Sequence, residues 1–177
     1  MLTPSQEKWI AHLSDQDQVT IVPFDPSTPQ KFETVKRKIQ SALGPETRVE
    51  HRGATSLGIS GQDEIDVYVP VPENQFEALL GPLSEAFGNP RSHYPRERAR
   101  FVTFEGGKHI DIFLINETSL GWTDGIKFES YLLSHPEALE QYRQLKEAGQ
   151  GFSTREYYRR KTEFINDILS IANQETQ

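Results

Sequence analysis

Val49-Glu-His-Arg-Gly-Ala-Thr-Ser-Leu-Gly-Ile-Ser-Gly-Gln-Asp-Glu-Ile-Asp-Val-Tyr-Val69 is the stretch on which the reading of this chain turns. It opens as a short strand, Arg48 to Arg52, and breaks at Gly53. A loop of small residues follows, and a second strand begins at Glu64. That strand alternates acidic and apolar positions: Glu64, Ile65, Asp66, Val67. Side chains on a strand alternate faces, so Glu64 and Asp66 share one face while Ile65 and Val67 turn to a core. Two neighbouring carboxylates repel, and a hard divalent cation bound through oxygen offsets that repulsion. A third acid, Asp111, lies in a similar strand, His109-Ile-Asp-Ile-Phe113. The pattern predicts that Glu64, Asp66 and Asp111 meet around metal, with the Gly53–Ser56 loop beside them to hold phosphate.

Composition bounds the reading. A chain of 177 residues is expected to form one domain, with room for a helical extension. Apolar residues make up 35%, enough for a modest core. The net charge of −7 argues against a broad nucleic-acid-binding surface but leaves room for a local basic site. With no cysteine, disulfides and thiolate metal sites are excluded. The first residues lack the basic start and apolar run of a signal peptide. No apolar run approaches the ~20 residues that span a membrane. The expectation is a soluble, cytoplasmic protein with no membrane partner.

In chain order, residues 4–13 read as a short amphipathic helix and Val19–Phe24 as an extended segment stopped by prolines. Ser27 or Thr28 caps a helix running to about Leu43, with Phe32, Val35, Ile39, Ala42 and Leu43 in one stripe. Another helix spans about Glu73 to Phe87, and Arg91–Arg98 reads as polar and irregular. Gly106-Gly107 lies between two β-type runs, which is a hairpin signal. That turn sets a register in which Phe104 opposes His109, Val102 opposes Asp111 and Arg100 opposes Phe113. Arg100 is then a diagonal neighbour of Asp111, roughly 7–8 Å away. After Asn116 three helices are expected, near 119–133, 136–148 and 154–172, with residues 173–177 frayed. The core is thus read as 1–116 and the helical portion as 117–177, packed together as one compact unit.

Two lysines fall on apolar stripes. Lys161 sits near the middle of the stripe formed by Tyr157, Phe164, Ile165 and Ile168, at about 100° per residue. Lys146 falls within that of Ala138, Leu139, Tyr142 and Leu145. An unpaired buried ammonium is costly, so each needs a partner, a polar cavity or a snorkelling path to water. Two such lysines together favour phosphate binding.

A glycine and small-hydroxyl loop, an acid-x-acid strand and a lone acid on a later strand resemble the nucleotidyltransferase superfamily typified by DNA polymerase β. The likeness to its GrpB branch is closer and covers nearly the whole chain. It rests on Ile21-Val-Pro-Phe-Asp-Pro26, Glu50-His-Arg-Gly-Ala-Thr-Ser-Leu57, Ser134-His-Pro-Glu137, Tyr142-Arg-Gln-Leu-Lys146 and Tyr157-Tyr-Arg-Arg-Lys-Thr-Glu-Phe-Ile165. The resemblance implies an α+β fold: a small mixed β-sheet with helices on one side, the nucleotidyltransferase fold, followed by a helical C-terminal portion. It implies a site dependent on Mg²⁺ (or Mn²⁺) that binds a nucleoside triphosphate such as ATP. On that pattern Gly53, Ala54, Thr55 and Ser56 hold the β- and γ-phosphates. Glu64 and Asp66 ligate two metals, Asp111 completes the one that activates the acceptor, and Lys146 and Lys161 face the triphosphate. The chain departs from the family at Ala54, where Ser is usual, at Glu64, where Asp is commoner, and at Gly58, where Pro is common.

The implied reaction is transfer of a nucleoside monophosphate to an acceptor that the sequence does not name: a small molecule, a protein or RNA. Two metals about 3.5–4 Å apart stabilise the attacking and leaving oxygens of such a displacement. Arg100 is read as contacting phosphate or acceptor, or as merely neutralising Asp111. The alternative is a non-catalytic nucleotide-binding or protein-interaction module on the same scaffold, which Ala54 favours and the retained acids oppose. His109 reads as a surface histidine near a turn, His51 as a support of the loop, and Arg52 as either a phosphate contact or solvated. Arg91, Arg96, Arg98 and Arg100 form a candidate acceptor patch for RNA or an acidic small molecule.

Overall fold

The structure, a computed structural model, describes residues 1–175. Among these the chain forms seven helices and one five-stranded mixed sheet of order β1-β2-β5-β4-β3. The strands are β1 (Glu50–Arg52), β2 (Glu64–Val71), β3 (Ser92–Tyr94), β4 (Arg98–Glu105) and β5 (Lys108–Asn116). The helices are α1 (Pro4–Ala11), α2 (Thr28–Leu43), α3 (the single turn Gly53–Ser56), α4 (Glu73–Phe87), α5 (Leu120–Ser134), α6 (Pro136–Ala148) and α7 (Thr154–Glu175). The described residues divide into two compact units: Phe24–Ile59 with Asp63–Thr123, and Met1–Pro23 with Ser60–Gln62 and residues 124–175.

In the sheet unit, β2 and β5 are parallel neighbours at the centre, and every other pairing is antiparallel. The hairpin register matches the sequence expectation, with Arg100 opposite Phe113, Val102 opposite Asp111 and Phe104 opposite His109. Gly106 and Gly107 both take positive φ in the turn, where glycine carries no Cβ penalty. Ile65, Val67 and Val69 from β2, Ile110, Ile112 and Leu114 from β5, and Ala99 and Phe101 from β4 all turn to one face. The apolar stripes of α2 (Phe32, Val35, Ile39) and α4 (Phe76, Leu83) close over them, forming the core. Period-2 alternation then leaves the opposite face to Glu64, Asp66, Tyr68, Asp111, Phe113, Arg98 and Arg100.

Two expectations need correction. The polar stretch 91–98 contains β3, an edge strand paired to β4 with Ser92 opposite Arg100. Its three residues come from backbone pairing to an existing edge, which no apolar pattern announces. The last helix runs on through Glu175 rather than fraying at Asn173, and residues 176 and 177 lie outside the described residues.

In the helical unit, Phe128, Tyr142 and Phe164 form an aromatic cluster with centroids 5.2–6.4 Å apart. Arg155 donates from Nε and Nη2 to the carbonyl of Leu13 (3.1 and 2.8 Å) and from Nη2 to that of Ala11 (3.1 Å). These are carbonyls at the end of α1 that no helical N–H takes. Arg159 grips Glu7 of α1 with both Nη atoms, at 3.0 and 2.9 Å. No helix among the described residues is long and apolar enough to cross a membrane.

Candidate functional site

Parallel pairing assembles the acids. Glu64 is the register partner of His109 and Asp66 that of Asp111, so all four lie on the non-core face of the two central strands. Asp111 is the most enclosed, at 5% exposure. Arg100, on the far side of β5, places Nη1 at 3.3 and 3.2 Å from the two Asp111 oxygens. His109 brings Nε2 to 3.1 Å from Asp111 Oδ1. Glu64, His109 and Asp111 each offer one ligand atom, all within 4.8 Å of one another. Carboxylates suit Mg²⁺ or Mn²⁺, and an added imidazole favours the softer ion.

Asp66 faces the glycine turn. Gly53 has φ +76° where β1 ends, and a Cβ there would overlap Asp66 Oδ2. The backbone therefore reaches the carboxylate only because residue 53 has no side chain. The turn opens with N–H groups that no carbonyl of its own can take. His51 braces it from beneath: its ring stacks on Phe32 at 4.9 Å, and Nε2 lies 2.9 Å from Thr55 Oγ1. Burial pushes the His51 imidazole down to about 4, so it is neutral at pH 7. Ser56 Oγ donates to the Gly53 carbonyl at 2.8 Å and locks the turn further.

The leading ends of β2 and β5 are clamped as well. Lys108 pairs with Asp63 and lies 3.6 Å from Asp25, which in turn accepts from Lys31 at 3.0 Å. Hydrogen bonds from Ser27 hold the Asp25 carboxyl well below the usual carboxylate range. Asp63 adopts φ +66° directly before Glu64, so the clamp also fixes where β2 begins.

A family description, GrpB protein, matches residues 18–170. The chain belongs to the GrpB family. It is 29% identical over 173 residues to a UPF0157 protein of Pseudomonas aeruginosa, covering 90% of this chain and 69% of that protein. A UPF0157 protein of Vibrio cholerae is 27% identical over 134 residues, covering 75% and 71% respectively. The fold is similar to the crystal structure of the conserved protein GrpB from Enterococcus faecalis. That likeness has a TM-score of 0.68 at 17% identity and covers 88% of this chain and 98% of the other.

Within this GrpB chain, the sheet unit brings together Glu64, Asp66, Asp111, Arg100 and the turn Gly53, Ala54, Thr55 and Ser56. Lys146 and Lys161 belong to the helical unit. Lys146 is buried there at 3% exposure, its Nζ 5.2 Å from the Tyr142 ring centroid. Lys161 is half-buried, its Nζ 5.2 Å from the Tyr158 ring. His109 is no bystander: its bond to Asp111 and edge-on contact with Phe104 hold it in the acidic group. The signal was the His109-x-Asp111 spacing, which puts both on one strand face. Arg52 is not solvated: it is the register partner of Asp66 on the same sheet face, and its side chain is largely covered. Its guanidinium lies 4.9 Å from the Trp122 ring, and Nη2 is 3.0 Å from Glu50.

Proposed function

We propose that this GrpB chain is a metal-dependent nucleotidyltransferase of the DNA polymerase β type, moving a nucleoside monophosphate from a triphosphate to an acceptor hydroxyl. The observation that carries the reading is the β2–β5 register: Asp66 opposite Asp111, Glu64 on the same face, and a glycine turn closed onto Asp66. Glu64, His109 and Asp111 offer ligand atoms within 4.8 Å of one another, and with Asp66, the register partner of Asp111, they are the residues that would hold Mg²⁺ or Mn²⁺. The ion would supply charge neutralisation at the reacting phosphate and the departing pyrophosphate. The backbone N–H groups of the Gly53–Ser56 turn bind the phosphates without adding mobile charge. Asp111, oriented by Arg100 and His109, positions the acceptor hydroxyl and receives its proton. The acceptor oxygen forms the new bond to the α-phosphorus as the bond to pyrophosphate breaks.

Two observations favour a second reading, a nucleotide-binding module without transfer. Arg100 already neutralises Asp111 from within the protein, and the turn carries Ala54 in place of a hydroxyl residue. The two readings separate with labelled ATP and GTP in Mg²⁺ or Mn²⁺. Transfer releases pyrophosphate and leaves a labelled adduct, whereas a binding module does neither. For both, Asp66→Asn is expected to abolish metal-dependent nucleotide binding while the melting temperature holds. Undiminished ATP and GTP binding by that variant would overturn the metal assignment.

A further inference from the structure

On the same face of the sheet as the carboxylates, a cavity of about 230 Å³ is lined by Tyr68, Tyr94, Glu97, Arg98, Ile115 and Ser119. Strand register fixes its position. Tyr68 follows Asp66 by one repeat of β2, Ile115 follows Asp111 by two repeats of β5, and Arg98 pairs with Ile115. Each repeat of two residues advances about 6.6–6.8 Å, so the cavity begins one step from the acids. The Arg98 guanidinium lies 5.2 Å from the Tyr94 ring centroid and 6.0 Å from that of Phe113. Rings hold a guanidinium by its flat face and leave the edge donors unspent. Among the described residues, those ring contacts are the interactions of the Arg98 side chain; no carboxylate pairs with it. Arg100, two positions along the same strand face, differs because its Nη1 is committed to the Asp111 carboxylate. Ser119 accepts from the Trp122 N–H at 3.4 Å, which leaves its own hydroxyl hydrogen to donate.

We propose that this cavity binds a small organic acid: a carboxylate or phosphate ester carried on a flat or apolar body. A half-buried guanidinium with a free fork selects a planar or tetrahedral oxyanion bidentately. Tyr68, Tyr94 and Ile115 supply the apolar walls. The volume is below the ~300–1,000 Å³ usual for drug-sized ligands, so the occupant is a small molecule and not a polynucleotide.

Binding can be read without nucleotide or divalent ion, so a failure here leaves the transfer reading untouched. The Trp122 ring lies 5.6 Å from that of Tyr68, and the chain has only two tryptophans. Trp9→Phe in the full chain therefore makes Trp122 the sole reporter. Titration with phenyl phosphate and with phenylacetate in the presence of EDTA is expected to give a saturable change in emission for at least one of them. The better of the two identifies the anion class, and neutral benzyl alcohol should bind at least ~10-fold more weakly. Arg98→Gln should lose saturation or weaken it by a similar factor, while Arg91→Gln, at an exposed arginine outside the lining, should not. If Arg98→Gln does not fold, the comparison of charged and neutral probes on the parent still decides. No saturable binding of either acid, equal binding of benzyl alcohol, or undiminished affinity in a folded Arg98→Gln would each overturn the site.

Discussion

Gly53 and Asp66 are built against one another: a Cβ on the glycine would overlap the aspartate Oδ2 and stand 3.2 Å from its Cγ. Gly58 offers a control, because its φ of +68° is close to the +76° of Gly53 but an added Cβ meets nothing within 4 Å. Gly58→Ala is expected to cost only the left-handed backbone term, roughly 1–2 kcal/mol. Gly53→Ala should cost more in urea denaturation. Shortening the aspartate in Gly53→Ala/Asp66→Ala should return the difference. Equal costs for the two glycines would mean that the turn and the carboxylate are independent.

Arg100 forms an ion pair with Asp111, a residue 5% exposed. Arg100→Gln leaves a buried carboxylate with His109 as its remaining hydrogen-bond partner, at a cost of roughly 1.5–3 kcal/mol. Asp111→Asn in the same background should recover part of that loss, a coupling that a double-mutant cycle measures. Added Mn²⁺ should raise the melting temperature of Arg100→Gln more than that of the parent, because the internal counter-charge is gone.

His51 sets a pH dependence. Its unfolded value is near 6.5 and its folded value about 4. Between those limits the unfolded chain binds more protons, so stability rises with pH across that window. The His51 contribution is therefore complete above about 6.5 and is lost as pH falls toward 4. His51→Gln should flatten that part of the curve, measured as urea midpoints over a pH series. Parallel curves for the two proteins would remove His51 as the cause.

Arg155 ties the end of α1 to α7 through three hydrogen bonds to the Ala11 and Leu13 carbonyls. Lysine keeps the charge and loses the fork. Arg155→Lys is expected to cost about 1–2 kcal/mol and to speed amide exchange across residues 4–13 more than in the sheet unit. Unchanged protection in that segment would sink the assignment.

What the sequence made legible follows from periodicity. The alternation in 64–67 and 109–113 exposed the acids, and two glycines at the hairpin set a register that placed Arg100 beside Asp111. Neither pattern says which strand lies next to β2. Its parallel pairing with β5 depends on how α4 and the hairpin pack, and local spacing does not encode that. β3 was hidden because edge pairing is made by the backbone. His109 was hidden because an imidazole near a turn reads as solvated until the strand beside it is known. The Arg98 cavity was visible only as a loose group of arginines, since the rings that hold Arg98 come from β3 and β5.

The partnership of Asp66 with Asp111 joins residues roughly 45 positions apart in the chain. Closing so long a span costs conformational entropy before any contact repays it. The acidic group is thus no local motif that a fragment could display; it exists only once the middle of the sheet has zipped. A cation or phosphate bridging the two strands would fasten that seam, so occupancy should register as added resistance of the entire sheet unit to unfolding.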